Sequence, residues 1–275
     1  MYAYTTNCIE TCISEKYQIK KNMWPDIESV LKKTGYDYNF GRPSIGSIRA
    51  LNGIFYILKT GVQWNALPRC FGSYSAVHRS FKKLEALGFF KEIWELELRK
   101  YIEQNPDALN VQAGDCSHIQ APLGREMTGA SPINRAKLGP KRSIITDRNG
   151  VVIGHALAAG NTHDSKVFLE TIRAIPHFVR QKFNWPQMHL DAAYDSEEIQ
   201  YILFNLRYVP RVNKNKRRSK ASQPACIAKR FFIEASHSWA NRFKRLFVRF
   251  EKIAKLYSAF MNFAFANNTF SKIRL

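Results

Sequence analysis

The stretch Ser143-Ile144-Ile145-Thr146-Asp147-Arg148-Asn149-Gly150-Val151-Val152-Ile153-Gly154-His155-Ala156-Leu157-Ala158 decides the fold class. Two apolar, largely β-branched runs flank a turn that contains Asn-Gly. That dipeptide is the strongest short hairpin signal, because a tight turn between twisted strands needs residues that tolerate positive φ. Strands are expected at 143–146 and 151–158. Working outward, a strand at 108–113 precedes them, and strands at 187–190 and 208–212 follow. Helical patterns at 165–179 and 196–206 lie between the later strands. Three strands led by a hairpin, then alternating helix and strand, make a mixed α/β core. A long last helix is expected at about 232–265, broken at most once.

Upstream the period changes to that of a helix. Pro25 suits the first position of a helix that Gly35 stops. Ile48, Leu51, Phe55 and Leu58 recur on one helical face that ends at Gly61. Ser73 or Ser75 can cap a further helix with Val77, Phe81, Leu84 and Leu87 inward, closed by Gly88. Its outer face carries Arg79, Lys82 and Lys83. Two helices around a short connection fit a helix-turn-helix, and a plain bundle with a wet basic face fits equally. The expected organisation is a tail at 1–22, a helical domain at 23–104, an α/β domain at 108–266 and a C-terminal tail at 267–275.

Charge narrows the function class. The 275 residues carry 42 Lys and Arg against 22 Asp and Glu, a net charge of +20. A polyanion partner accounts for such an excess, whereas small neutral substrates do not. The segment 206–255 alone holds fifteen Lys and Arg and two acids, so it supplies +13 of the total. It includes Lys216, Arg217, Arg218, Arg242 and Arg245; a solvated basic loop or a nuclear import signal would account for the first three, but the basic residues continue well past them. No apolar run is long enough to span a bilayer, and the N-terminus lacks the pattern of a secretory signal. Five scattered cysteines fit a reduced compartment.

Acids are scarce in this basic half, so those near strand ends stand out. Asp115 follows the strand expected at 108–113, Asp191 ends the strand at 187–190, and Glu234 lies in the last helix. Ligands bind beyond strand ends in open α/β sheets. Three converging carboxylates repel one another unless divalent cations lie between them, and a two-metal site suits phosphodiester chemistry. Capping Asp and surface Glu residues are commoner than ligands, so spacing leaves both readings open.

Longer motifs carry more weight. Gly114-Asp115-Cys116-Ser117-His118-Ile119-Gln120-Ala121-Pro122 is followed by Thr128-Gly129-Ala130-Ser131-Pro132 and Arg135-Ala136-Lys137-Leu138-Gly139-Pro140-Lys141-Arg142. Then come Gly160-Asn161-Thr162-His163-Asp164-Ser165, His189-Leu190-Asp191-Ala192-Ala193-Tyr194-Asp195 and Ile233-Glu234-Ala235-Ser236-His237-Ser238-Trp239-Ala240-Asn241-Arg242-Phe243. In this order they resemble the DDE transposases of small bacterial insertion sequences. Upstream, Asn52-Gly53-Ile54-Phe55-Tyr56-Ile57-Leu58-Lys59-Thr60-Gly61-Val62-Gln63-Trp64 resembles that group's DNA-binding region.

The resemblance spans roughly residues 24–265. It implies a ribonuclease-H-like core in which Asp115, Asp191 and Glu234 hold two Mg²⁺ ions, with Mn²⁺ as a substitute. It also implies terminal inverted repeats and target DNA as substrates, a homodimer in the active complex, and a cytoplasmic, nucleoid-associated setting without membrane attachment. Two positions depart from the group. Ala235 stands where an Arg often follows the Glu, and Cys116 where a small residue, frequently Gly, follows the first Asp.

Other residues invite phosphate contacts. Arg135, Lys137, Lys141 and Arg142 fall between the first two expected strands, where a charged loop would look the same. At about 100° per residue, Asn241, Arg245 and Lys252 share a helical face with Glu234. His163 and Asp164 are read as caps of one helix and Asp195 of the next, Asp147 as a turn residue, and Tyr257, Phe260, Met261 and Phe265 as core. A transposase is the leading reading. A catalytically inactive transposase-derived DNA-binding protein and a general metal-dependent nuclease are the alternatives.

Overall fold

The computed structural model describes residues 12–36, 46–132, 135–213 and 230–273. Local chemistry sets the helical half. Trp24–Lys33 (α1) carries Pro25 in its first turn, where a missing N–H costs nothing. Ser47–Thr60 (α2) ends at Gly61, whose φ of 72° is the left-handed conformation that closes a helix. Ser73 caps Tyr74–Ala86 (α3) by accepting the Ala76 N–H at 3.3 Å, and Gly88 leads into Phe89–Gln104 (α4). Leu87, expected inward, is exposed because α3 stops one residue before it. Ile19, preceding α1, is buried and donates its N–H to Asn52 Oδ1 at 2.9 Å.

The sheet consists of Val111–His118 (β1), Gly129–Ala130 (β2), Leu138–Asp147 (β3), Val152–Ala159 (β4), Gln187–Leu190 (β5) and Val209–Val212 (β6). β3, β1, β5 and β6 lie side by side in that order, and β2 and β4 both pair with β3. The β3 pairings are antiparallel, whereas β1–β5 and β5–β6 are parallel. Helices therefore cross over between the parallel strands: Asp164–Arg173 (α5), His177–Arg180 (α6) and Glu197–Asn205 (α7). The hairpin turns as its sequence demands, with Asp147 Oδ1 accepting the N–H groups of Asn149 (2.9 Å) and Val151 (2.8 Å).

Three expectations change. β1 begins at Val111 after a 3₁₀ segment, Pro106–Asn110, and continues to His118, so Asp115 lies within the strand opposite Ile144 and not beyond its end. β3 begins at Leu138, ahead of the expected 143, because the charged pair Lys141 and Arg142 is accommodated inside the sheet. The expected helix at 165–179 is divided at Pro176, which precedes α6.

The last helix is broken twice, into Phe231–Ala240 (α8), Lys244–Phe247 (α9) and Ala254–Phe270 (α10). Tertiary bonding overrides its periodicity. Arg249 donates its N–H to Gln120 O at 2.9 Å, and its guanidinium to Glu251 O and Glu126 O at 2.8 Å each.

Helices cover both sheet faces. A Cβ on Gly114 would lie 2.5 Å from Phe168, so α5 packs where only a glycine lets it approach, and Thr171 Oγ1 reaches Ser143 Oγ at 2.7 Å. On the opposite face, Ser236 of α8 donates to Gly150 O at 2.9 Å. α10 joins the two halves of the chain: Phe260 stacks on Phe81 of α3 at 4.4 Å between ring centroids. The result is a mixed sheet flanked by helices and preceded by an all-helical region, a ribonuclease-H-like architecture. Among the described residues, no helix is long and apolar enough to cross a membrane.

Candidate active site

Register brings the two aspartates together. Ala113 of β1 pairs with His189 of the parallel β5, and Asp115 and Asp191 each lie two residues further along. Alternation turns Asp115 away from α5 and toward α8. Its Oδ1 accepts the Cys116 N–H at 2.9 Å, while Oδ2 lies 3.6 Å from Arg230 Nη2 and 4.0 Å from His237 Nε2. Asp191 ends β5, accepts the Ala192 N–H at 2.6 Å, and lies 3.3 Å from Arg230 Nη1. One guanidinium thus spans both carboxylates.

The electrostatics leave negative charge in excess. Burial pushes the Asp115 pKa up to about 6; Arg230 and the Cys116 N–H pull it down, and Asp191 and Asp164 push it up again. His237 is driven down to about 3, first by burial and then by the Arg142 cation. Its 4.0 Å approach to Asp115 is therefore the contact of a neutral ring and not an ion pair. Arg142 Nη2 lies 3.3 Å from His237 Nδ1. Since a guanidinium can only donate, this bond assigns the ring proton to Nε2, the nitrogen facing Asp115.

Glu234 is exposed on α8, four residues after Arg230 and three before His237. That spacing puts it on the same side of the helix as two residues that touch Asp115. Among the described residues, no group of three or more His, Cys, Asp or Glu is placed to hold a metal ion. The donor set nevertheless suits a divalent cation. Its oxygens are the hard donors that Mg²⁺ prefers, and a cationic guanidinium already lies between the two aspartates.

The basic candidates divide into surface and interior. Arg79, Lys82 and Lys83 are exposed on α3, with Lys83 also 4.9 Å from the Tyr36 ring centroid. Arg135, Lys137 and Arg242 are exposed as well. Lys141, Arg142 and Arg245, expected on phosphates, have their charges engaged internally. Lys141 Nζ bonds to Thr162 O at 2.7 Å and Asp164 Oδ1 at 2.6 Å. Arg142 is fully buried and also reaches Asn241 Oδ1 at 3.1 Å. Arg245 Nε pairs with Glu251 at 2.7 Å in the interior. The break after α8 removes the face that Asn241, Arg245 and Lys252 were expected to share with Glu234. Lys216, Arg217 and Arg218 lie outside the described residues.

Of the caps, His163 accepts the Ser165 N–H at 3.3 Å, while Ser196, not Asp195, caps α7 by accepting the Ile199 N–H at 3.2 Å. Cys116 is half-buried and interacts with Ser143 and Tyr194; burial pushes its thiol up to about 11. Ala235 is exposed. Arg230 and His237 escaped the sequence reading, although their spacing of four and three residues from Glu234 was the available signal.

An acidic pair at the adjoining β1 and β5 strands, overlain by a helix bearing a third carboxylate, fits a ribonuclease-H-like protein. Comparison with known proteins gives the family. Residues 115–268 match the family model described as "Transposase DDE domain", and residues 19–94 match "Putative transposase of IS4/5 family". The chain belongs to the DDE transposase family.

The "Putative transposase for insertion sequence element IS402" of Burkholderia cepacia is 32% identical over 168 residues, which are 59% of this chain and 78% of that protein. The "Insertion element IS402 uncharacterized 16.2 kDa protein" of the same organism is 31% identical over 118 residues, 42% of this chain and 80% of that protein. Among solved structures, the pre-cleavage Mos1 transpososome aligns with 90% of this chain and 86% of that chain at 12% identity and a TM-score of 0.29, too loosely to carry an argument. Family membership supports action on DNA and divalent-metal catalysis in general.

Proposed function

We propose that this chain binds the terminal inverted repeats of an insertion sequence and catalyses metal-dependent cleavage and strand transfer. The observation that supports this most is the convergence of Asp115 and Asp191 on one guanidinium, with Glu234 one helical turn beyond that arginine. Residues 23–104 are assigned to DNA binding and 108–266 to catalysis, in a complex of two copies. Arg79, Lys82, Lys83, Arg135, Lys137 and Arg242 present exposed cations for phosphates.

Asp115, Asp191 and Glu234 would hold two Mg²⁺ ions, which when bound supply an activated nucleophile and neutralise charge on the leaving oxygen. The protein's own contribution is positional. The parallel β1–β5 register fixes the spacing of the two aspartates. Neutral His237, oriented by Arg142, offers an N–H toward Asp115 without adding charge. Water first attacks a phosphodiester at the element's end, breaking one P–O bond and freeing a 3′-OH. That hydroxyl then attacks a target phosphodiester, so one P–O bond forms as another breaks and no ATP is consumed.

The alternative, DNA binding without chemistry, is favoured by one feature: among the described residues no three carboxylates are placed to hold a metal ion. Incubating the protein with Mg²⁺ and the DNA flanking its own gene distinguishes the two. Joined products support the transposase reading; specific binding with neither cleavage nor joining overturns it.

A further inference from the structure

Three cations from separate parts of the chain gather near the C-terminal end of α2. Ile19 donates its N–H to Asn52 Oδ1 at 2.9 Å, which pins the segment before α1 alongside α2. Lys59 follows Asn52 by two helical turns and so lies on the same face. A Cβ on Gly61 would lie 2.8 Å from the Lys244 Cβ, so the chain leaving α8 closes against the end of α2. These contacts bring Lys20 and Arg242 to Lys59. Burial, then the charges of Lys20 and Arg242, lowers the Lys59 pKa below its ordinary value.

Lys59 is the unusual member. It is half-buried, with its ammonium 4.3 Å from the ring centroid of Phe243 and 5.5 Å from that of Phe55. Phe243 is itself buried and packs edge-on against Trp239 at 5.0 Å between centroids. Aromatic faces attract an ammonium but carry no net charge to balance it. Among the described residues, the side chains of Lys59 and Arg242 make no hydrogen bond, and Lys20 reaches only a hydroxyl, Ser271 Oγ at 3.0 Å. None of the three pairs with a carboxylate among those residues. After Glu234 the sequence holds one acid, Glu251, and that is buried against Arg245.

Like charges around a partly desolvated ammonium repel one another unless an anion lies among them. A phosphate group suits the place, since its oxygens accept charge-assisted bonds from ammonium and guanidinium alike. Position favours a phosphate of the DNA backbone. The cluster adjoins α8, which carries Glu234, and the turn from α2 toward α3, which carries Arg79, Lys82 and Lys83.

We propose that Lys20, Lys59 and Arg242 form a phosphate-binding site that holds the DNA backbone, with Lys59 at its centre. The site rests on the DNA-binding reading above and extends it to two lysines outside α3 and the α/β core.

The test uses the full chain and Lys59→Met, which keeps the stem on the aromatic rings and removes the charge. By fluorescence anisotropy with a labelled element-end duplex, the variant is expected to bind about tenfold more weakly at 0.1 M salt. Its slope of log K against log salt falls by about 0.9. Without DNA its melting temperature is expected to rise by about 2 °C, because the repulsion is relieved. Sulfate, standing in for phosphate, raises the wild-type melting temperature above that in chloride at equal ionic strength, and Lys59→Met loses this gain. Unchanged DNA affinity in the variant overturns the site as a backbone contact; if the sulfate gain still depends on Lys59, the site takes a free anion instead. Should Lys59→Met melt below the wild type, Lys20→Met at its exposed position decides: affinity about threefold weaker supports the site and unchanged affinity overturns it. A wild-type chain that binds no DNA overturns the underlying reading, which distinguishes that failure from this one.

Discussion

Glu97 is the clearest energetic anomaly in the fold. It lies on α4, fully buried, and neither of its oxygens meets a donor among the described residues. Burial, reinforced by the Asp26 carboxylate, pushes its pKa from 4.5 up to about 8, and Lys100 offsets only part of this because it pairs with Asp26 at 2.5 Å. The folded chain therefore keeps a proton on Glu97 over a range in which the unfolded chain has released it. The stabilisation is fully present below about pH 4.5 and is lost as pH rises toward 8.

At ~1.4 kcal/mol per pH unit the whole interval corresponds to about 5 kcal/mol, an upper bound that local opening and water entry reduce to on the order of 2 kcal/mol. Glu97→Gln is neutral at every pH and nearly isosteric. The variant is predicted to match the wild type near pH 5 and to exceed it by about 2 kcal/mol at pH 8. Urea unfolding at pH 5, 6.5 and 8 measures this directly. Identical pH slopes in the two proteins, or a variant less stable at pH 8, would refute the buried protonated carboxyl.

The internal ion pair gives a second prediction: Arg245→Met strands Glu251 in the interior and costs about 3–5 kcal/mol, whereas the double change Arg245→Met with Glu251→Leu recovers most of it, as a double-mutant cycle of melting data would show. Arg230→Gln removes the cation between Asp115 and Asp191, so Mn²⁺ should bind roughly tenfold more tightly at pH 8, read as the loss of the free-ion paramagnetic resonance signal; unchanged or weaker binding contradicts competition between guanidinium and metal. Replacing Arg79, Lys82 and Lys83 together by Ala should lower the slope of log K against log salt by up to about 2.7 for inverted-repeat DNA, and an unchanged slope would place the DNA elsewhere.

What the sequence made legible was local. The Ile48, Leu51, Phe55 and Leu58 stripe, the Ser73 cap, the Asn-Gly turn and the 187–190 strand all depend on neighbours within a few residues, and all appear as read. The failures are non-local. Arg142 looked like loop charge because its partners, His237 and Asn241, lie about a hundred residues away in sequence. The break between α8 and α10 follows from bonds that Arg249 makes to Gln120 and Glu126, which no helical wheel contains.

The candidate site divides in the same way. The three carboxylates were proposed from motifs, and the parallel β1–β5 register brings the two aspartates to one guanidinium. The guanidinium that bridges the two aspartates emerges only once α8 is seated on β1. The concentration of positive charge near Glu234 likewise proves partly structural, since Arg245 and Arg249 stabilise the fold around it.

The central claim is that Asp115, Asp191 and Glu234 act together on a phosphodiester. The most direct measurement is joining of a labelled element-end oligonucleotide to a target plasmid in Mg²⁺, comparing wild type with Asp115→Asn, Asp191→Asn and Glu234→Gln. Each variant is predicted to bind the element-end DNA normally and to lose joining by at least a thousandfold, about 4 kcal/mol of barrier. Joining that persists in any one of the three would contradict the account.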